Sequence, residues 1–181
     1  MSKNVTKILF VCHGNICRSP MAEFVMKRLV AEAAGEFKAG ENCADKSCAA
    51  INRADFEFEI ASAATSTEEI GNPVYPPARR ILAAHGIDCS GKTARQMTVR
   101  DYDYYDYIIL MDENNLRNLR WILPADIYEF ETSRDAQARK VSLLMDWAHK
   151  NRDVADPWYT GNFEATWQDV LEGCSKLLET L

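Results

Sequence analysis

Long apolar runs, an excess of positive charge and a repeated cysteine pattern are all missing from this sequence, and each absence closes off a class of protein. No stretch approaches the ~18 consecutive apolar residues of a membrane-spanning helix. The run from Ile8 to Cys12 is too short for the apolar segment of a secretion signal, so a soluble, cytoplasmic protein is expected. Lys and Arg number 21 against 27 Asp and Glu, a net charge of −6. No global field therefore draws the chain to nucleic acid or to an anionic membrane, and neither is expected as a partner. An anion bound here has to be held by local geometry. The six cysteines, at 12, 17, 43, 48, 89 and 174, form no C-x2-C pair. Without a secretion signal they read as reduced thiols, and Cys43 and Cys48 lack the two further ligands of a metal site, so no metal is expected. Glycine and proline are sparse, eight and six in 181 residues, while 47% of the residues are hydrophobic. That balance excludes collagen-like and disordered chains.

What is present suits a single domain over residues 1–181, long enough to bury roughly 70% of the surface its unfolded chain exposes. Lys7 to Val11 is a β-rich run ending at Cys12, and Ser19 with Pro20 reads as the N-cap and first residue of a helix reaching about Ala34, with Gly35 as its stop. Residues from about 35 to 55 show no period and read as an insertion, a loop or partly helical. Phe56 to Ala64 alternates as a strand, and Pro76 and Pro77 open a helix through Ala78, Ile81, Leu82 and His85. Tyr105 to Met111 has the continuous apolar character of a buried parallel strand, and Asp126 to Phe130 reads as a shorter one. The acidic and tyrosine-rich run before it, Asp101 to Tyr107, reads as a solvated loop. Phe163, Trp167, Val170, Leu171, Cys174, Leu177, Leu178 and Leu181 recur at helical spacing. Strands alternating with helices predict an α/β fold with a parallel sheet, in which ligands bind at the carboxyl ends of strands.

Cys12 to Arg18 lies at one such end. Cys-x5-Arg alone is a weak signal, since Cys89 and Arg95 match it too, but only Cys12 follows a strand and precedes a helix. There, inward-pointing backbone N–H groups and the helix dipole make a cradle for a tetrahedral dianion and favour a nucleophilic thiolate at Cys12. Arg18 supplies a planar fork that grips two phosphoryl oxygens. Gly14 permits close approach, and Asn15 is the non-glycine residue best suited to a left-handed conformation. A leaving oxygen needs a proton, for which Asp156, stiffened by Pro157 and followed by Trp158 and Tyr159, is the candidate. Gly86 to Thr93 satisfies G-x4-G-K-T, but a helix precedes it where nucleotide binding requires a strand, so no nucleotide cofactor is expected.

The stretch VCHGNICRSP (Val11–Pro20), taken with Asp156–Tyr159, resembles the low-molecular-weight protein tyrosine phosphatase family. Ser62–Pro73 (SAATSTEEIGNP), His85–Ile87, Thr93–Gln96 (TARQ), Tyr107–Asn115 (YIILMDENN) and Phe163–Glu164 extend the likeness in order along the chain. Only residues 35–55 and 121–155 are poorly covered. The resemblance implies a four-stranded parallel twisted sheet flanked by helices, with the phosphate-binding loop between the first strand and the first helix. It implies that Cys12 forms a phosphocysteine, that Arg18 binds the phosphoryl group, and that Asp156 is first acid and then base. His13, Gly14, Asn15, Ile16, Cys17 and Arg18 would cradle the phosphate, with Ser19, Ser62, His85 and Asp112 supporting the loop. His85 also fits a core histidine on its helix face. Cys17 would protect the nucleophile as a disulfide under oxidation. No metal or organic cofactor is implied. The implied partner is a phosphotyrosine-bearing protein, a tyrosine kinase among the candidates, and the enzyme would be a monomer or weak dimer.

Two positions depart from the family pattern. His13 adds a titratable group at the pocket rim, and Glu68 stands where an aromatic often sandwiches the substrate ring, leaving Trp158 and Tyr159 as the aromatic wall. Two activities on the same fold are the rivals. Thioredoxin-coupled arsenate reductases need a further cysteine near positions 110–114, where this chain reads Leu-Met-Asp-Glu-Asn, and phosphoarginine phosphatases tend to carry Thr where Ile16 stands.

Overall fold

The computed structural model describes residues 4–35, 51–53, 56–133 and 138–181. Its central strand, β1 (Asn4–Cys12), is apolar on both sides: Ile8 and Phe10 enter one core, Leu9 and Val11 the other, and all four are fully buried. A strand with no solvent face must be covered by helices on both sides of its sheet. The elements follow as α1 (Arg18–Ala33), β2 (Ile51–Arg53), β3 (Phe56–Ala64), α2 (Pro76–Ala84), α3 (Val99–Tyr104), β4 (Tyr107–Leu110), α4 (Glu113–Asn118), α5 (Ala125–Thr132), β5 (Val141–Leu143), α6 (Leu144–Trp147), α7 (Pro157–Thr160) and α8 (Phe163–Thr180). The sheet runs β2-β3-β1-β4-β5, with β3, β1, β4 and β5 mutually parallel.

The four-stranded parallel sheet expected from the resemblance is present, flanked by helices. Met21, Val25 and Met26 of α1, Leu82 of α2, Leu144 of α6 and Trp167, Val170 and Leu177 of α8 pack on one face. Tyr102, Leu116 and Ile127, from α3, α4 and α5, cover the other, around Leu9, Val11, Ile108 and Leu110. Because β3 and β4 lie on opposite sides of β1, the connections leave it in opposite directions, and a crevice opens at its carboxyl end. Cys12 stands there.

The structure differs from the sequence reading at several elements. Asp126 to Phe130 is not a strand: it belongs to α5, which starts after Pro124, and Ile127 and Tyr128 pack on the second core. The fourth parallel strand is β5, whose start is pinned by Glu131 of α5, accepting from the backbone N–H of Lys140 (3.2 Å) and Val141 (3.0 Å). Part of the expected insertion, Ile51–Arg53, is strand β2, paired antiparallel to β3 as a fifth, edge strand. The rest of it, with Cys43 and Cys48, lies outside the described residues. Most of the Asp101–Tyr107 run falls in α3, opened by a reciprocal cap between Thr98 and Asp101, and in β4. Among the described residues no helix is long and apolar enough to cross a membrane.

Candidate active site

Residues 13–17 curl from β1 into α1, and the helix begins at Arg18 with no side chain capping it. Ser19, expected as the N-cap, lies inside the helix, so its hydroxyl is available to the loop: Ser19 Oγ is 3.1 Å from Cys12 Sγ. The Asn15 backbone N–H also points at the sulfur, at 3.3 Å. Asn15 takes φ of 56°, the left-handed region a short amide tolerates. Its side chain fixes the curl by donating to Ser19 Oγ (2.9 Å) and Ser62 Oγ (2.8 Å) and accepting from the Arg95 N–H (3.2 Å).

Behind Ser62 stand two residues the sequence reading did not assign to the site. Ser62 Oγ donates to Glu23 Oε2 at 2.6 Å, and Lys92 Nζ lies 2.8 Å from that same oxygen and donates to the Ser62 carbonyl at 3.1 Å. Burial opposes charge on Glu23, but the ammonium groups of Lys27 and Lys92 outweigh it and hold the carboxyl below its ordinary value. Burial pushes the Lys92 ammonium down, against the pull of Glu23. A glutamate among the buried positions of α1 was the available signal for the first. Lys92 was visible only as part of the unused G-x4-G-K-T match. His85, expected in this network, instead ends α2 as an exposed residue and stacks on Trp167 at 3.9 Å and 6°. The ring faces α8, and Glu23 and Lys92 back the loop.

Arg18 is buried, with both ends of its fork engaged: Nη1 to Asp112 Oδ2 at 2.5 Å and Nη2 to Asp156 Oδ2 at 2.7 Å. Burial disfavours its charge, yet Cys12, Asp112 and Asp156 together hold the guanidinium above the ordinary arginine value. Asp112 is fixed in turn as the N-cap of α4, its Oδ1 accepting from the Asn115 N–H at 2.6 Å. Asp156 caps α7 through the Trp158 N–H (3.0 Å). The segment leading to it is tied to α8: both Arg152 nitrogens reach Asp169 (2.8 and 2.6 Å), the Ala155 N–H donates to Asp169 (2.9 Å), and Thr166 Oγ1 donates to the Ala155 carbonyl (2.8 Å).

Cys12, Arg18, Asp112 and Asp156 line one cleft of about 610 Å³ that also takes in His13, Gly14, Ile16, Cys17, Glu68, Trp158 and Tyr159. At its mouth His13 Nε2 lies 3.1 Å from Glu68 Oε2, so the two departures from the family pattern meet each other across the rim. Trp158 and Tyr159 are 63% and 87% exposed, a wall open to solvent. A Cβ on Gly14 would lie 3.1 Å from Cγ of Glu69, so the bare backbone also lets the facing loop come close. Burial, with the negative charges of Cys12 and Asp156, pushes the Cys17 thiol up to about 12, so it is a neutral neighbour of Cys12. Among the described residues no group of three or more His, Cys, Asp or Glu is placed to hold a metal ion. A sulfur nucleophile, a guanidinium and a carboxyl thus share one cleft, the set needed to move an anionic group from an ester oxygen to sulfur.

The chain matches the profile of low molecular weight phosphotyrosine protein phosphatases over residues 7–54 and 43–181. It is 36% identical over 176 residues to the low molecular weight protein-tyrosine-phosphatase YfkJ of Bacillus subtilis, covering 96% of this chain and 94% of that protein. The low molecular weight phosphotyrosine protein phosphatase of Rattus norvegicus is also 36% identical, over 95% of this chain and 93% of the relative. The crystal structure of YfkJ superposes with a TM-score of 0.73 at 34% identity, covering 98% and 94% of the two chains. The low molecular weight protein tyrosine phosphatase of Streptococcus pyogenes does so with a TM-score of 0.67 at 35% identity, covering 97% and 93%. With a cysteine, an arginine and an aspartate converging at the end of β1, and with likeness along nearly its whole length, this chain belongs to the low molecular weight phosphotyrosine protein phosphatase family.

Proposed function

We propose that this phosphatase hydrolyses phosphotyrosine monoesters in proteins through a phosphocysteine at Cys12, with Asp156 as general acid and then general base. The observation that carries the reading is Arg18, buried at the cleft floor, within electrostatic reach of Cys12 and 2.7 Å from Asp156. The phosphoryl oxygens enter the N–H cradle of residues 13–18 and take the Arg18 fork, placing phosphorus in front of Cys12 Sγ. The S–P bond forms as the P–O bond to the phenol breaks, and the Asp156 carboxyl protonates the leaving oxygen. The Asp156 carboxylate then takes a proton from the water that attacks phosphorus, releasing phosphate and the Cys12 thiolate. Ser19 Oγ lies 3.1 Å from Cys12 Sγ, and its hydroxyl turns from the Ala63 carbonyl to donate to the departing thiolate. Trp158 and Tyr159 give the aromatic ring a wall, while Glu68 contributes a carboxylate rather than a stacking face.

The test is turnover of a phosphotyrosine peptide beside phosphoserine and phosphoarginine, under reducing conditions, by the parent and by Cys12→Ser. Phosphotyrosine turnover abolished by the substitution is the expected result. Preference for phosphoarginine, or no ester turnover by the parent, would reject the proposed substrate.

A further inference from the structure

We infer that Tyr75 is a positioning residue, a strut that sets the distance between the loop carrying the nucleophile and the turn carrying the acid. The inference rests on the reading of Asp156 as general acid. Helix α7, which Asp156 caps, has four residues and ends at Gly161 in the left-handed region (φ 66°). A helix that short does not hold itself in place. The first ring against it comes from Tyr75, whose ring lies 5.4 Å from that of Trp158, tilted at 58°, and 6.0 Å from that of Phe163, where α8 begins. On its other side Tyr75 donates its backbone N–H to the carbonyl of Ile16, inside the phosphate loop, at 2.8 Å. Its own backbone is fixed at both ends. Pro76 after it restricts it to extended conformations, and its carbonyl accepts from the Arg79 N–H at 3.0 Å as α2 begins.

Tyr75 thus touches the nucleophile's loop through its backbone and the acid's turn through its ring, yet does not line the cleft. Removing the ring leaves the N–H bond to Ile16, and with it the phosphate cradle, while Trp158 loses its support. The proton donor then drifts from the leaving oxygen. Substrates differ in how much they need that proton: a nitrophenolate departs readily without it, whereas the phenolate of tyrosine does not. A misplaced acid is therefore read out as a dependence on leaving group, while a merely loosened fold slows all esters alike.

The experiment measures kcat/KM, which reports the step that breaks the ester bond, for aryl phosphates from phosphotyrosine to dinitrophenyl phosphate. It compares the parent with Asp156→Asn, Tyr75→Leu, Tyr75→Met and Tyr75→Phe, and records the inhibition constant of inorganic phosphate for each. Asp156→Asn is expected to lose on the order of 10²-fold or more on phosphotyrosine and far less on the dinitrophenyl ester. Tyr75→Leu and Tyr75→Met should reproduce that slope more weakly, losing about 10-fold on phosphotyrosine with phosphate inhibition unchanged, and Tyr75→Phe should restore the parent. Tyr75 is only half-buried, so these variants are expected to fold. A uniform loss across esters, or none, in the Tyr75 variants while Asp156→Asn shows the slope would overturn the role of Tyr75. A flat profile in Asp156→Asn itself would overturn the acid assignment, and the strut with it.

Discussion

Arg18 reaches two carboxylates in this structure, and they are not equivalent. Asp112 is buried and committed as a helix cap, whereas the Asp156 side chain is 25% exposed on a short turn. A phosphoryl oxygen that takes Nη2 therefore displaces Asp156. Replacing Asp156 by Asn removes both the competitor and a negative charge beside the bound dianion. At about 5 Å and an effective dielectric of 20 to 40, that charge beside a dianion amounts to about 3 to 7 kcal/mol before screening, of which about 1 kcal/mol, several-fold in affinity, should survive. Inorganic phosphate is accordingly expected to inhibit Asp156→Asn at least about 5-fold more tightly than the parent when measured near neutral pH. An unchanged or weaker inhibition constant would mean that the Arg18–Asp156 pair does not compete with substrate. That Cys12, Arg18 and Asp156 converge was legible in the sequence to the extent that each belongs to a local pattern: strand end, helix start, proline-stiffened turn. Lys92 was not, since its partner Glu23 lies 69 positions earlier and only burial brings the pair together.

Between elements, a tight packing constraint falls where α8 crosses α6. A Cβ on Gly173 would lie 2.5 Å from Cγ of Leu144, and Leu144 has no exposed surface through which to retreat. Gly173→Ala would gain about 1 kcal/mol of helix propensity within α8. Overpacking a filled core costs about 1 to 3 kcal/mol, so the clash is expected to win. The net loss of up to about 2 kcal/mol should lower thermal unfolding of Gly173→Ala by up to about 8 °C, at about 2 to 4 °C per kcal/mol for a chain of this size. A rise in Tm would show that Leu144 can yield. The same reasoning explains which elements were legible. The helix α8 and the strands β1, β3 and β4 repeat their apolar pattern long enough to be recognised. Strand β5 has three residues, too few for a period, and is defined by its pairing with β4 and by Glu131 at its start. Residues 126–130 have strand-like composition, yet adopt helix because that places Ile127 and Tyr128 on the core.

For the whole molecule, four carboxyls among the described residues titrate lower in the fold than in the free chain: Asp88, held by Ser90 at the surface, and the more buried Glu23, Asp101 and Asp169. In Glu23, Asp101 and Asp169 burial opposes charge, but Lys27 with Lys92, Arg95 with the Thr98 N–H, and Arg152 with the Ala155 N–H respectively overcome it. Depressed values mean that the folded chain binds fewer protons than the unfolded one in this range. The stabilisation is therefore complete above the ordinary carboxylate values of 4.5 and 3.8 and is lost as pH falls through the lower folded values. The urea midpoint should hold steady from pH 7 to about 5 and then drop as pH falls further. Glu23→Gln should be unstable already at pH 7, by about 3 to 5 kcal/mol, because Lys92 is left buried without its counter-charge. A midpoint unaffected by acid would refute the three pairings as contributors to stability.

The sequence by itself determined the α/β class, the strand–loop–helix unit that opens at Cys12 and the place of Cys12 and Arg18 on one loop, because the patterns that mark them are local. Tertiary structure alone decided which groups hold that unit in shape. Glu23 and Lys92 rather than His85 back the loop, β5 rather than residues 126–130 completes the parallel sheet, and Tyr75 bridges the two halves of the cleft. These depend on pairs 33 to 83 positions apart, from Ile108 with Val141 to Tyr75 with Trp158, whose meeting is fixed by the burial of whole faces and leaves no periodic trace along the chain.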